Sequence, residues 1–143
     1  LHLPALIPDD YLGDVHQRLL FYKRISNTDS QEKLDNIRME LIDRFGIPPQ
    51  SVKHLFAVHQ VRLKAEQLGM TKIDLNSNGG YVEFSPDTPV QATSIIHLMQ
   101  SNPTHYRMEG WQRLKVTQKL GEYEQRIQFI VSVLDRLLGE LHC

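Results

Sequence analysis

The residues of this chain that could take part in metal or acid–base chemistry are seven histidines and one pair of adjacent carboxylates. His54 and His59 are five residues apart, which places them on different faces of a helix, and the other histidines are scattered. Asp9 and Asp10 follow a proline and suit the N-terminus of a helix, where negative charge is favourable. The pattern favours structural roles for all of these side chains, and we expect no metal site.

A nucleophile and a phosphate-binding loop are equally hard to find. Cys143 is the only cysteine and ends the chain, which is a poor position for a sheltered nucleophile and leaves no partner for an internal disulfide. No Gly-Lys-Ser/Thr sequence is present, and Asn78-Gly79-Gly80 lies between two predicted strands instead of between a strand and a helix. We therefore predict a chain that is not an enzyme by itself and that needs no cofactor.

Basic residues interleaved with aromatic ones form one candidate binding surface, for nucleic acid. They are Arg107, Arg113, Lys115 and Lys119, next to Tyr106 and Trp111. The chain as a whole has 16 basic and 17 acidic residues and so has no net basic field. A solvated strand face beside a core tryptophan explains the same residues, and we favour that interpretation while keeping an accessory nucleic-acid-binding module, Arg107 to Lys119, as the alternative function.

The second candidate surface is a helix with charges on its outer face. Its apolar stripe, at helical spacing, consists of Leu34, Ile37, Leu41 and Phe45. Asp43 falls nearly opposite this stripe and Met39 lies close to Asp43, while Glu40 and Arg44 flank the apolar edge four residues apart. Asp43 is near the helix C-terminus, where the helix dipole disfavours negative charge. This acidic face with a methionine set in it is a candidate partner-binding surface.

The end of the same helix is strongly marked. Gly46 follows Phe45 and can take a left-handed conformation, and Ile47 is in the position of the apolar contact of a Schellman-type ending. Pro48 and Pro49 prevent continuation, and Pro49 suits the first turn of a new helix.

Hydrophobic periodicity places these sites in an α+β fold. The first helix is predicted to bury a stripe of Tyr11, Val15, Leu19 and Tyr22, which is widened by Leu12, Leu20, Phe21 and Ile25. The third helix runs from Pro49 to a stop at Gly69. A hairpin turning at Asn76 to Gly80 follows, then a helix, a second hairpin turning at Glu109-Gly110, and a last amphipathic helix. The order is three helices, then hairpin-helix-hairpin-helix, which predicts a small antiparallel sheet covered by helices.

The length of 143 residues fits one domain, which we place at residues 9–143 after a linker of residues 1–8. The chain begins without a methionine in a proline-containing stretch, so we expect it to be a piece of a longer protein. No apolar run is long enough for a bilayer and no signal-peptide pattern is visible, so we expect a cytoplasmic protein.

Two stretches resemble a known family. IPDDYLGDVHQRLLFYKRI (7–25) and ELIDRFGIPP (40–49), with the hydrophobic helix that follows, are similar to the C-terminal domain of bacterial transcription-repair coupling factors. Tyr22-Lys23-Arg24 together with Asp43-Arg44-Phe45-Gly46 and Pro49 carry the resemblance, which extends to the last helix.

The resemblance implies a function. Such factors are ATP-driven DNA translocases that act on stalled RNA polymerase and recruit the excision-repair protein UvrA, and the domain resembled here lacks the motor. It is expected to dock on the N-terminal UvrB-like module of the same protein and to mask its UvrA-binding surface. The carried-over docking residues are Glu40, Asp43 and Arg44, with Met39 on the same face, while Phe45, Gly46 and Pro49 shape the helix end.

Overall fold

The computed structural model describes residues 5–141. Three helices come first: α1 Val15–Ser26, α2 Gln31–Phe45 and α3 Gln50–Gln67. They are followed by strands β1 Met70–Asn76 and β2 Gly79–Phe84, helix α4 Ala92–Ser101, strands β3 Tyr106–Glu109 and β4 Arg113–Thr117, and helix α5 Tyr123–Leu141. The predicted α+β element order is confirmed.

The described residues divide into two compact units, 5–63 and 64–141. The first contains α1, α2 and most of α3, and the second contains the sheet, α4 and α5. Whether residues 9–143 act as one domain stays a prediction.

The core of the first unit is formed by apolar side chains from its three helices and from the segment before α1. Its buried members are Ile7, Leu12, Phe21, Ile25, Leu34, Ile37, Leu41, Val52, Leu55, Phe56 and Leu63. The α2 stripe Leu34, Ile37 and Leu41 is confirmed, and Ser30 caps α2 by accepting a hydrogen bond from the Lys33 amide at 3.2 Å. Because Ile7 belongs to this core, the packed contacts of the unit reach back into the predicted linker.

Helix α1 begins later than the sequence pattern indicated. The amides of Tyr11 and Leu12 both donate to the Pro8 carbonyl, which makes a turn where the pattern predicted helix, and Asp14 caps the helix in place of Asp9 or Asp10. This turn places Leu12 in the core. The predicted stripe is wrong at two positions, because Val15 and Leu19 are 58% and 60% exposed. Of the residues predicted to widen that stripe, Leu20 is also exposed, at 59%, whereas Phe21 and Ile25 are buried as expected.

In the second unit, four antiparallel strands form one sheet in the order β1-β2-β4-β3. One face carries the buried side chains Leu75, Val82, Leu114 and Val116. Helix α5 buries Ile130, Val133, Leu134 and Leu137, and its Phe129 stacks on Tyr106 of β3 with ring centroids 6.4 Å apart. The opposite face carries half-buried and exposed polar residues, among them Tyr81, Glu83, Arg113 and Lys115.

Trp111 does not lie in a strand or in the core. The β3–β4 connection is Gly110–Trp111–Gln112, and the indole is 71% exposed. Gly110 has φ +70°, so the chain turns there and β4 begins only at Arg113, which leaves the indole at the hairpin tip. The prediction of a core tryptophan is wrong.

Candidate docking surface

The predicted partner-binding residues lie on the outer side of the last turns of α2. Met39 is 53% exposed, Asp43 and Arg44 are exposed, and Glu40 is half-buried at the edge facing α1. We call these four residues, together with Arg24 of α1, the α2 docking surface.

Glu40 is held by a partner that the sequence did not reveal. The Nη1 and Nη2 atoms of Arg24 donate to the two carboxylate oxygens of Glu40, each at 2.8 Å. The predicted contact with Arg44 is present but longer, at 3.3 Å. The hydrogen bonds from Arg24 hold the pKa of Glu40 below its ordinary value, and the same contact raises the pKa of Arg24. Glu40 is therefore ionised, fixed in place and largely neutralised by its own unit.

The two arginines are ordered by aromatic rings as well as by Glu40. The guanidinium of Arg24 lies 5.0 Å from the ring centroid of Phe21, and that of Arg44 lies 5.6 Å from Phe21 and 5.0 Å from Phe45. Because Phe21 is buried, this packing ties both cations to the core. Arg44 is thus pre-oriented at the surface, which lowers the entropic cost of a contact with a partner.

Asp43 differs from its neighbours. It makes no ion pair and no side-chain hydrogen bond with another residue of the described part of the chain. It is also exposed in the last turn of α2, where the helix dipole opposes its charge. The acidic face predicted from the sequence therefore has one unpaired carboxylate among these residues, that of Asp43, because Glu40 is paired with Arg24.

The end of α2 is closed by Tyr11 and not by Ile47. The Tyr11 hydroxyl donates to the Gly46 carbonyl at 2.8 Å and approaches the Leu41 carbonyl at 3.3 Å, and its ring packs against Phe45 with centroids 6.0 Å apart. Ile47 is 86% exposed, so the predicted Schellman-type contact is wrong. Burial raises the pKa of the Tyr11 hydroxyl.

Gly46 and Pro49 shape this end as their types suggest, with different details. Gly46 has φ +88° and ψ −163°, a conformation that is nearly restricted to glycine and is not the left-handed helical one predicted. Its amide still donates to the Ile42 carbonyl at 2.9 Å. Pro49 immediately precedes α3, and its carbonyl accepts from the amides of Val52 and Lys53.

The basic hairpin is only partly available for binding. Arg113 donates to Glu83 through Nε at 3.0 Å and lies 4.1 Å from the ring centroid of Tyr81. Tyr106 is covered by Phe129, and burial raises the pKa of its hydroxyl. These two residues are therefore engaged within the unit, whereas Arg107, Lys115, Lys119 and Trp111 remain exposed.

Within residues 5–141, no group of three or more histidine, cysteine or acidic side chains is arranged to hold a metal ion. His54 is buried next to Gln50, and His59 accepts a hydrogen bond from Nε of Arg62 at 3.1 Å, with its pKa lowered by burial. His2, His142 and Cys143 lie outside the described residues. None of the helices in the described range is both long enough and apolar enough to cross a bilayer.

Comparison with known proteins identifies close relatives along nearly the whole chain. Residues 1–95 match the family model of the TRCF domain. The chain is 42% identical over 134 residues to the transcription-repair-coupling factor of Haemophilus influenzae and 41% identical over 137 residues to that of Escherichia coli. These alignments cover 94% and 96% of this chain but only 12% of each relative. The chain thus corresponds to a small part of the relatives' length.

A solved structure has the same fold. The crystal structure of the C-terminal domain of a transcription-repair coupling factor superposes with a TM-score of 0.82, covering 97% of this chain and 89% of that one at 20% identity. A likeness at this level of identity establishes the fold and leaves the function to be argued from the surface.

Proposed function

Because the chain belongs to the transcription-repair coupling factor family and has the fold of that family's C-terminal domain, we propose that it is a non-catalytic regulatory domain. In this proposal it docks through the α2 docking surface on the UvrB-like module of the same protein and masks that module's binding surface for UvrA. The parent protein would be a cytoplasmic DNA translocase that acts on RNA polymerase and DNA, and docking would keep its repair-recruiting surface closed.

The observation that carries the proposal is the exposed, unpaired carboxylate of Asp43 beside an ordered pair of cations. No described residue of its own unit pairs with this charge, and its position near the C-terminus of α2 is unfavourable for the helix. A partner arginine can donate two hydrogen bonds to the Asp43 carboxylate, and such bidentate pairs are among the strong charge-assisted hydrogen bonds. Met39 supplies adaptable apolar area next to it.

The network around Glu40 supports the same proposal in a different way. Glu40 and Arg24 hold α1 and α2 together at 2.8 Å, so the face that carries Asp43 and Arg44 is rigid before docking. Their role is to position the surface, whereas Asp43 and Arg44 contact the partner. An autoinhibitory contact of this kind must be releasable, and each ~1.4 kcal/mol of docking free energy shifts the open fraction tenfold.

The test is the affinity of the full-length factor for UvrA. Asp43→Ala is expected to raise that affinity, because it weakens docking and opens the masked surface. The variant chain should be at least as stable as the wild type, because the substitution removes a charge that the helix dipole opposes. Glu32→Ala is the matched control. It removes an exposed carboxylate from the same helix, at a position 11 residues before Asp43 and so about 16 Å from it along the helix axis. We expect the control to leave UvrA binding unchanged.

A direct measurement separates docking from its consequence. The 143-residue chain is titrated against the isolated UvrB-like module, and Asp43→Ala and Arg44→Gln are both expected to weaken the complex. Equal affinity of wild type and both variants for the module, together with unchanged UvrA binding by the full-length variant, would refute the docking proposal.

A further inference from the structure

We propose that the β3–β4 hairpin binds single-stranded nucleic acid. Arg107 and Lys115, which are opposite each other on the two strands, would contact the phosphate backbone of the ligand, and Trp111, in the connection between the strands, would stack on one base. These residues lie in the second unit and are not part of the α2 docking surface. The proposal goes beyond the regulatory function and does not depend on it. We call the three residues the hairpin surface.

The first observation is a pair of like charges placed directly opposite each other. Arg107 and Lys115 are cross-strand partners in the register of β3 and β4, and their side chains are 76% and 49% exposed. Like charges at directly opposite positions destabilise an antiparallel pair. Both cations pair with the single carboxylate of Glu109, at 3.8 and 3.7 Å, so one positive charge is left over. A phosphate group would neutralise this excess positive charge.

The second observation is the shape and lining of the surface around Lys115. Lys115 and Thr117 line two shallow cavities of about 460 and 320 Å³. The smaller cavity is also lined by Arg107 and Thr104, and the larger one by Asn78 and by Glu109, whose carboxylate competes with a phosphate for the cations. Cations next to hydroxyl and amide groups form the donor set that proteins use for phosphate and sugar contacts. The hairpin surface therefore offers several hydrogen bonds in addition to charge.

The third observation is the exposed indole at the tip of the same hairpin. Trp111 is 71% exposed and follows Gly110, whose positive φ sets the turn. Proteins that bind single strands without sequence preference combine a cationic track with aromatic rings on which bases stack. Trp111 and the Arg107–Lys115 pair provide both parts within one hairpin.

The structure also limits the strength of the interaction. Arg113 and Tyr106 line these cavities as well, but the charge of Arg113 is neutralised by Glu83 and the ring of Tyr106 is stacked on Phe129. The chain has a net charge of −1, so attraction is local. We expect weak binding that engages about two phosphates.

The experiment is a titration of the whole chain with an oligothymidylate of about ten nucleotides, a length within the site sizes of single-strand binders. Trp111 is the only tryptophan, so quenching of its fluorescence reports stacking at this site without a label. The logarithm of the association constant should fall against the logarithm of the salt concentration with a slope of about −1.4, as two phosphate contacts to a single strand require. Inorganic phosphate and an oligoglutamate peptide are the comparison ligands.

Variants distinguish this surface from general charge effects. With a labelled oligonucleotide, Arg107→Gln and Lys115→Gln should each reduce the slope by about 0.7. Trp111→Ala should weaken binding about fivefold or more at an unchanged slope. Glu109→Gln should strengthen binding, because it removes the carboxylate that competes with phosphate. Lys53→Gln, an exposed lysine of α3 outside the hairpin, is the control and should change nothing.

Three results would overturn the proposal. The first is an absence of quenching and of salt-dependent binding. The second is an equal loss of affinity in Lys53→Gln and Lys115→Gln. The third is binding of oligoglutamate as tight as that of oligothymidylate and indifferent to Trp111, which would assign the surface to an acidic protein. Thermal unfolding of each variant, expected to match the wild type, shows that a lost signal reflects the surface and not the fold.

Discussion

Gly46, where α2 ends beside Asp43 and Arg44, permits a sharp test of why this position is a glycine. Its φ of +88° and ψ of −163° fall in a region that only glycine occupies readily, whereas an added Cβ would find no heavy atom within 4 Å. Gly46→Ala would therefore cost backbone strain alone, with no steric clash. Strain of this kind is worth about 1–3 kcal/mol, and we expect the free energy of unfolding of the first unit to fall by that amount.

At a second glycine with equally open surroundings, we expect the same substitution to raise the free energy of unfolding. Gly139 lies in the last turn of α5, its φ is not positive, and an added Cβ would again meet nothing within 4 Å. Gly139→Ala should stabilise the second unit by up to about 0.5–1 kcal/mol, because alanine restricts the unfolded chain and favours helix. The two substitutions add the same methyl group, so the difference in sign isolates the backbone conformation.

The assay is urea denaturation followed by circular dichroism, with amide hydrogen exchange to assign the loss or gain to one unit. The slope of free energy against urea should be the same in both variants and the wild type, since neither substitution changes the surface exposed on unfolding. A Gly46→Ala variant as stable as the wild type would refute the strain argument. It would mean that α2 can end in another conformation without cost.

Two further predictions concern contacts of the first unit. In a double-mutant cycle of Arg24→Gln and Glu40→Gln, we expect a coupling free energy of about 0.5–1 kcal/mol. This is the upper part of the range for solvent-screened pairs, because the contact is bidentate although both side chains are over a third exposed. A coupling near zero would contradict the positioning role. Burial lowers the pKa of His59, so the folded protein disfavours protonation of this imidazole. The contribution of His59 to the free energy of unfolding is therefore present above its unfolded pKa of about 6.5 and is lost as pH falls through the lower folded pKa. In His59→Gln, whose amide oxygen can still accept a hydrogen bond from Arg62, the free energy of unfolding should depend less on pH in that window than in the wild type. Identical pH profiles of unfolding would exclude this contribution.

Periodic elements were predictable because their signal is local. The stripe of α2, the two hairpins and the long amphipathic α5 each follow from spacings within one segment, and the structure confirms them. The start of α1 was not predictable in the same way. Asp9, Asp10 and Asp14 are all competent caps, and the turn closed on the Pro8 carbonyl, together with burial of Leu12, selects Asp14.

The candidate surfaces show the same division. The outward placement of Asp43 and Met39 could be read from helix geometry, since it depends only on position within α2. The pairing of Glu40 with Arg24, 16 residues earlier, could not be read from the sequence, because it depends on how two helices pack. In the hairpin, the sequence grouped six residues, and only the strand register and the cover of Phe129 separate Arg113 and Tyr106 from those that stay exposed.

The sequence by itself determined the order of elements, the glycine and prolines that end α2, the placement of Asp43 away from the core and, through its motifs, the family. All of these depend on residue types and short spacings. Tertiary structure alone decided which charges are neutralised, which aromatic rings are covered and where α1 begins. Such outcomes depend on contacts between residues distant in the chain, where small differences in packing and solvation decide whether a side chain is engaged within the fold or left free to bind a partner.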